Sequence, residues 1–165
     1  MHARHIVIVV FAATATLTSV ASAGPTAARQ RVAITAKILP DGTAVVSPLR
    51  GGALKRDSGT FSGQWRSLAP DRTVMRDGQK VEIHTAVWTF AGKQGVLKFR
   101  ERNEWVDIGN DANHDGRNDQ VAVGTWKVVL GTGQYAGARG GGRSGHEGQG
   151  INWFARYEGF LTVRR

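Results

Sequence analysis

The sequence of 165 residues contains no cysteine, and this absence removes several classes of protein from consideration. Without thiols there is no disulfide framework, no thiol catalysis and no cysteine-based zinc site. Proline is also scarce, with 4 residues against 22 glycines. Because a chain of this length buries enough surface to be stable without cross-links, we predict one ordinary hydrophobic core.

A 3.6-residue apolar repeat, the mark of an amphipathic helix, is missing after the N-terminal region. Apolar and polar residues alternate instead, and Asp-Gly pairs at 41–42 and 77–78 mark hairpin turns between the alternating runs. β-Branched and aromatic residues are concentrated in these runs. We therefore predict an all-β fold, a single closed antiparallel β-barrel of about eight strands connected as a meander.

The N-terminus has the three parts of a secretory signal. A basic start, "MHARH", precedes the apolar run "IVIVVFAATATLTSVA", and the small residues "ASA" precede Gly24. We expect residues 1–23 to be a cleaved signal peptide, 24–31 a flexible leader and 32–165 the β-barrel domain. The mature protein would then be periplasmic or extracellular. The alternative is a retained anchor, which needs about 20 strongly apolar residues.

Acidic residues are outnumbered, since 22 Lys+Arg against 13 Asp+Glu give a formal net charge of +9. The basic residues are scattered, and the densest patch, "GARGGGRSG", holds only two arginines. A nucleic-acid partner requires a clustered basic face, so none is predicted. An anionic envelope surface stays open as a partner.

Strand alternation places aromatic residues of the long segments on one face, toward the interior of the predicted barrel. The lysines and arginines of "GVLKFRERNEWVDIG" and "VAVGTWKVVL" fall on the opposite face. These rings either fill the core or line a cavity for one small apolar or aromatic ligand. The candidate cavity residues are Trp88, Phe99, Glu101, Trp105, Trp126, Trp153 and Tyr157.

Glu101 falls on the apolar face, where an unpaired carboxylate is costly. His84 has the same strand parity as Trp88 in a neighbouring strand, so a Glu101–His84 pair is conceivable. With Tyr157, these residues would be the acid–base groups of a cavity enzyme. The alternative for Glu101 is a structural ion pair or a position near solvent. The remaining histidines fall in the acidic segment (His114) and in a glycine-rich loop (His146), and the three share no metal-ligand spacing.

The acidic segment "NDANHDGRNDQV", residues 110–121, has the oxygen spacing of a calcium loop. The ligands would be the side chains of Asp111, Asn113, Asp115 and Asp119 and the carbonyl of Arg117. Ala122 stands where an EF-hand has glutamate, so the segment resembles instead the short loops between strands of integrin-type β-propellers. We expect weakly bound, structural Ca²⁺ and no organic cofactor; a solvated turn is the alternative.

The stretch "GTWKVVLGTGQYAGARGGGR", followed by "RYEGFLT", resembles the C-terminal half of the allene-oxide-cyclase-like and dirigent-like barrels. The resemblance implies an eight-stranded can with a ligand cavity, often forming a homo-oligomer, and it carries over no catalytic residue. We therefore predict a secreted module that binds a small apolar or aromatic molecule. The alternatives are a cavity enzyme of the cyclase or isomerase type and a structural protein of the cell envelope.

Overall fold

The computed structural model describes residues 27–39, 42–49, 52–66, 69–111, 114, 116, 118–149 and 152–164. The predicted signal peptide, residues 1–23, lies outside this part of the chain. Among the residues described there is no helix of the length and hydropathy that crossing a bilayer requires.

The described chain is all-β, as predicted, with one short 3-10 turn at Gly133–Tyr135 and no α-helix in those residues. The strands are β1 (Ala27–Leu39), β2 (Thr43–Pro48), β3 (Asp57–Trp65), β4 (Arg72–Arg76), β5 (Gln79–Gly92), β6 (Gly95–Asp107), β7 (Gln120–Gly131), β8 (Arg139–Gln149) and β9 (Asn152–Arg164).

The nine strands form one antiparallel sheet whose hydrogen bonding returns on itself. The order is β3-β2-β1-β9-β8-β7-β6-β5-β4, and β3 also pairs with β5, from Gly59↔Gly92 to Trp65↔Ala86. Eight strands therefore follow one another in a ring, and β4 pairs with the part of β5 that β3 leaves uncovered.

Two segments differ from the sequence-based expectation. The glycine-rich stretch, expected as a loop, is strand β8 and pairs with β7 and β9 along most of its length. A Cβ atom on Gly142 would lie 1.9 Å from the carbonyl oxygen of Glu158, so glycine is required by close backbone approach. Strand β1 begins at Ala27, within the segment 24–31 expected to be a flexible leader, and pairs there with β9.

The interior is packed with side chains from all around the ring, and the predicted faces of β6 are confirmed. On β6, Phe99, Glu101 and Asn103 have no exposed surface. Aromatic rings fill the middle of the ring: Phe61 stacks on Trp88 at 5.1 Å between centroids, and Phe99 meets Tyr157 at 4.9 Å. Close packing of this kind makes the centre of the molecule a core.

At one end of the ring lies a buried carboxylate, that of Asp57, to which neighbouring segments are hydrogen-bonded. The Tyr135 hydroxyl donates to Asp57 Oδ2 at 3.2 Å, and the Gln94 backbone N–H donates to the same oxygen at 3.1 Å. Burial, followed by the nearby charge of Asp57, raises the pKa of Tyr135. The 3-10 turn and the β5–β6 turn are thereby tied to the start of β3. We call this the closed end.

Candidate functional site

A buried carboxylate, Glu101 on β6, holds together side chains from three other strands. Trp88 Nε1 donates to Glu101 Oε2 at 2.7 Å, and the Tyr157 hydroxyl donates to the same oxygen at 3.2 Å. His146 Nε2 lies 2.6 Å from Oε1, which also accepts a hydrogen bond from the Ser144 hydroxyl. We call these five residues the Glu101 network.

The Glu101 network satisfies its own carboxylate. An ionised carboxylate has about four acceptor positions, and Glu101 has four neighbours that can donate to them. Burial, and then the charge of Glu101, raise the pKa of Tyr157 well above its ordinary value, which keeps the phenol protonated as a donor. Glu101 therefore needs no further partner.

Glycine at position 124 allows the network to assemble beside β6. A Cβ atom there would lie 2.8 Å from Ser144 Oγ and 2.9 Å from Asn103 Cβ. Gly124 is the register partner of both Asn103 and Ser144, so the bare backbone of β7 lets these two side chains approach across it. This glycine serves packing and not chain flexibility.

Three tryptophans lie at the end of the ring opposite the closed end. The Trp105 ring is 4.9 Å from Trp153 and 6.0 Å from Trp65, centroid to centroid. Trp105 is 5% exposed, whereas Trp65 and Trp153 are only partly buried. We call Trp65, Trp105 and Trp153 the tryptophan mouth.

In the tryptophan mouth and directly beneath it, four buried polar atoms have no hydrogen-bond partner among the described residues. They are Oδ1 and Nδ2 of Asn103, Nε1 of Trp105 and Nδ1 of His146. Asn103 and Trp105 are consecutive inward positions of β6, and the Trp105 and His146 ring centroids are 5.4 Å apart. A buried polar group without a partner costs about 1–3 kcal/mol, so a cluster of them requires an explanation.

The histidine in contact with Glu101 is His146 and not His84, for which the sequence analysis leaves such a pair open. In the β5–β6 register Ala86 faces Glu101, whereas His84 faces Asn103, one inward position nearer the mouth. His84 Nε2 lies 3.6 Å from Glu82 Oε2, and its ring is 5.4 Å from that of Trp65. His84 is therefore part of the surroundings of the mouth.

The other predicted cavity residues divide between two levels of the interior. Trp88 and Tyr157 belong to the Glu101 network, and Phe99 and Trp126 pack against each other at 5.3 Å beside them. Trp105 and Trp153 lie in the tryptophan mouth. Sequence reasoning missed Ser144 and His146, although their alternate spacing in "RSGHEG" would have placed both on one strand face.

The acidic segment connects β6 to β7 at the mouth end of the ring. The Gly116 N–H donates to Asp111 Oδ2 at 2.9 Å, and the Asp119 N–H donates to the Asn110 carbonyl at 2.5 Å. Asn113, Asp115 and Arg117 lie outside the described residues, and the described ones contain no group of three His, Asp or Glu side chains placed to hold a metal ion. Calcium binding stays a prediction.

Comparison of the chain with models of known protein families, with curated proteins and with solved structures gives no match. The function is therefore argued from the site itself.

Proposed function

We propose that this protein binds a small, largely apolar molecule through the tryptophan mouth. The ring-like sheet would be a closed barrel of the allene-oxide-cyclase-like and dirigent-like type. Two features support that fold: the pairing of β3 with both β2 and β5, and the similar motif in the stretch 124–162. A ring of eight strands holds one small ligand at most, so the site belongs at its open end.

The observation that carries this proposal is the set of unpartnered polar atoms on Asn103, Trp105 and His146 under partly exposed aromatic rings. Small-molecule sites are mostly apolar and contain a few convergent polar groups that orient the ligand. Asp57 Oδ1 at the closed end also lacks a partner among the described residues, but the mouth groups four such atoms, and a core with only a structural role would satisfy most of such a group. A ligand that enters between the tryptophans would supply the missing partners.

A second candidate function is catalysis of a cyclisation or isomerisation. It is favoured by the contact of 2.6 Å between His146 and Glu101, because paired acid and base groups in a cavity suit proton transfer. Tyr157 would then be the third polar group. However, the side chains of Glu101 and His146 have no exposed surface, and a substrate has to reach them first. Binding at the mouth is the simpler function.

A third candidate, attachment to an anionic envelope polymer, is supported by the outer surface. A groove of about 540 Å³ crosses β6, β7 and β8, and Arg100, Arg102 and Lys127 lie along it beside Gly141. Positive charge along a groove attracts a polyanion. This surface is separate from the mouth, so both functions are compatible.

The test of the proposed function is binding of a neutral hydrophobic probe, N-phenyl-1-naphthylamine, followed by its fluorescence and by quenching of tryptophan emission. We expect saturable binding, weakened about tenfold or more by Trp153→Ala, because the removed ring supplies aromatic contact at the mouth. Phe160→Ala is the matched control, since Phe160 is 40% exposed on the outer face. No saturable binding, or equal loss in both variants, would refute the proposal.

A further inference from the structure

We infer that the ligand of the tryptophan mouth is planar and has a lactam or imide edge, that is, an N–H group beside a carbonyl. The inference rests on the proposed function and specifies the class of ligand. It follows from the donors and acceptors that the site leaves unmatched.

His146 contacts Glu101 through one of its two ring nitrogens. Its Nε2 lies 2.6 Å from an oxygen of Glu101, whose other three neighbours, Trp88, Ser144 and Tyr157, all donate to the carboxylate. The contact is most favourable when Nε2 carries the proton and donates as well. A neutral imidazole that donates from Nε2 presents Nδ1 as an acceptor.

The site offers a ligand both hydrogen-bond donors and hydrogen-bond acceptors. Trp105 Nε1 is a donor, and Asn103 provides an amide donor and a carbonyl acceptor; His146 Nδ1 adds a fourth unpartnered atom, which is an acceptor in the neutral ring. A hydrocarbon would leave all four atoms unmatched. A carboxylate ligand would match only the donors and would bring a second negative charge toward Glu101. A lactam edge has one donor next to one acceptor and matches both kinds.

The three indole rings favour a ligand of flat shape. Trp105 lies between Trp65 and Trp153, and all three rings are close enough for aromatic contact. A flat ligand packs against indole faces better than a globular one. Trp65 and Trp153 are partly exposed. A planar ligand that pushes them aside therefore breaks fewer packing contacts than one that has to move a side chain of the core.

The test uses three flat molecules of similar size: 2-quinolone, N-methyl-2-quinolone and naphthalene. Each is titrated into the full chain carrying N-phenyl-1-naphthylamine, and displacement of that probe is measured. We expect 2-quinolone to bind at least about tenfold more tightly than its N-methyl form, which keeps the carbonyl and loses the donor. Naphthalene should be weaker still.

Two variants locate the preference. Asn103→Leu should remove most of the difference between 2-quinolone and N-methyl-2-quinolone, and Trp105→Phe should reduce it. The control Asn152→Leu makes the same change at the start of β9, on the opposite strand parity from Trp153, and should leave the preference intact. Asn103→Leu should also raise the melting temperature, because it removes an amide that is buried without a partner. That rise would show that the variant folds.

The outcomes separate the inference from the proposed function. If all three molecules displace the probe equally, the mouth binds ligands but the inference is wrong. The inference is also wrong if Asn103→Leu keeps the tenfold preference. If the fluorescent probe itself does not bind, the proposed function fails.

Discussion

At the scale of single residues, the carboxylate of Glu101 is a point where hydrogen bonds from three other strands meet. Its neighbours come from β5, β8 and β9, while Glu101 itself lies on β6. A buried carboxylate surrounded by donors fixes their relative positions, because any shift leaves either the charge or a donor without a partner. The network therefore supports the floor of the tryptophan mouth.

Replacement of Glu101 by glutamine should lower the free energy of unfolding by about 1–3 kcal/mol. The amide group turns one acceptor into a donor, which then faces at least one of the donors around it. Urea unfolding followed by tryptophan fluorescence measures the change. Glu104→Gln, on the outer face of the same strand, is the control and should have a smaller effect. Equal effects of the two changes would contradict a structural role for the network.

The alternation of β6 was sufficient to predict that Glu101 is buried, but not which residues surround it. Parity assigns a face to each residue within one strand, whereas neighbours depend on the register between strands. His84 has the correct parity and lies one inward position away from Glu101. His146 is missed because the glycines around it indicate a loop, although its spacing from Ser144 gives both residues the same parity.

At the scale of elements, β8 shows why composition misled the prediction. Glycine is depleted in strands, so a run containing Gly140, Gly141 and Gly142 resembles a linker. In the structure a Cβ atom on Gly141 would lie 2.1 Å from the carbonyl oxygen of Trp126. The cause is tertiary packing between neighbouring strands, which a single sequence does not display.

The acidic segment is the element whose predicted role has the most direct test. It connects the ends of β6 and β7 beside the mouth, and the bonds of Asp111 and Asp119 already form a tight turn. The residues that would complete a calcium site, Asn113 and Asp115, belong to the part of the loop that the structure leaves undescribed. We propose that Ca²⁺ binds here.

Calcium at about 10 mM should stabilise the native protein by about 1.4 kcal/mol if the dissociation constant is about 1 mM, as for weak extracellular sites. The melting temperature should rise accordingly. Asp115→Asn should abolish most of the rise, and Asp77→Asn, in the β4–β5 turn, should retain it. An equal melting temperature with and without calcium would exclude this site.

At the scale of the whole molecule, the two tyrosines make the stability of both the closed end and the middle of the ring dependent on pH. They are the only tyrosines of the chain, and neither Tyr135 nor Tyr157 has exposed surface. The pKa of each is raised in the native state, mainly by burial. The native protein therefore keeps its phenol protons at pH values where the unfolded chain has lost them.

The contribution of these two phenols to stability should consequently stay level below the ordinary tyrosine pKa of about 10 and fall as the pH rises above it. Tyrosinate absorbance at alkaline pH should appear together with the loss of the circular dichroism of the folded state. Tyr157→Phe should make the alkaline decline less steep. Tyrosinate that formed near pH 10 in a protein still folded would contradict the burial of these phenols.

The pairing of β1 with β9 also governs how the molecule is made. Residues 27–39 have 152–164 as one neighbour, so the earliest described strand lacks that partner until all the residues between them have been synthesised. Ribosomal synthesis proceeds from the N-terminus, and the ring cannot close on a nascent chain. Before that moment one edge of β1 is an open template for other strands, and release or truncation of the chain before β9 is made would favour aggregation over a partly folded domain.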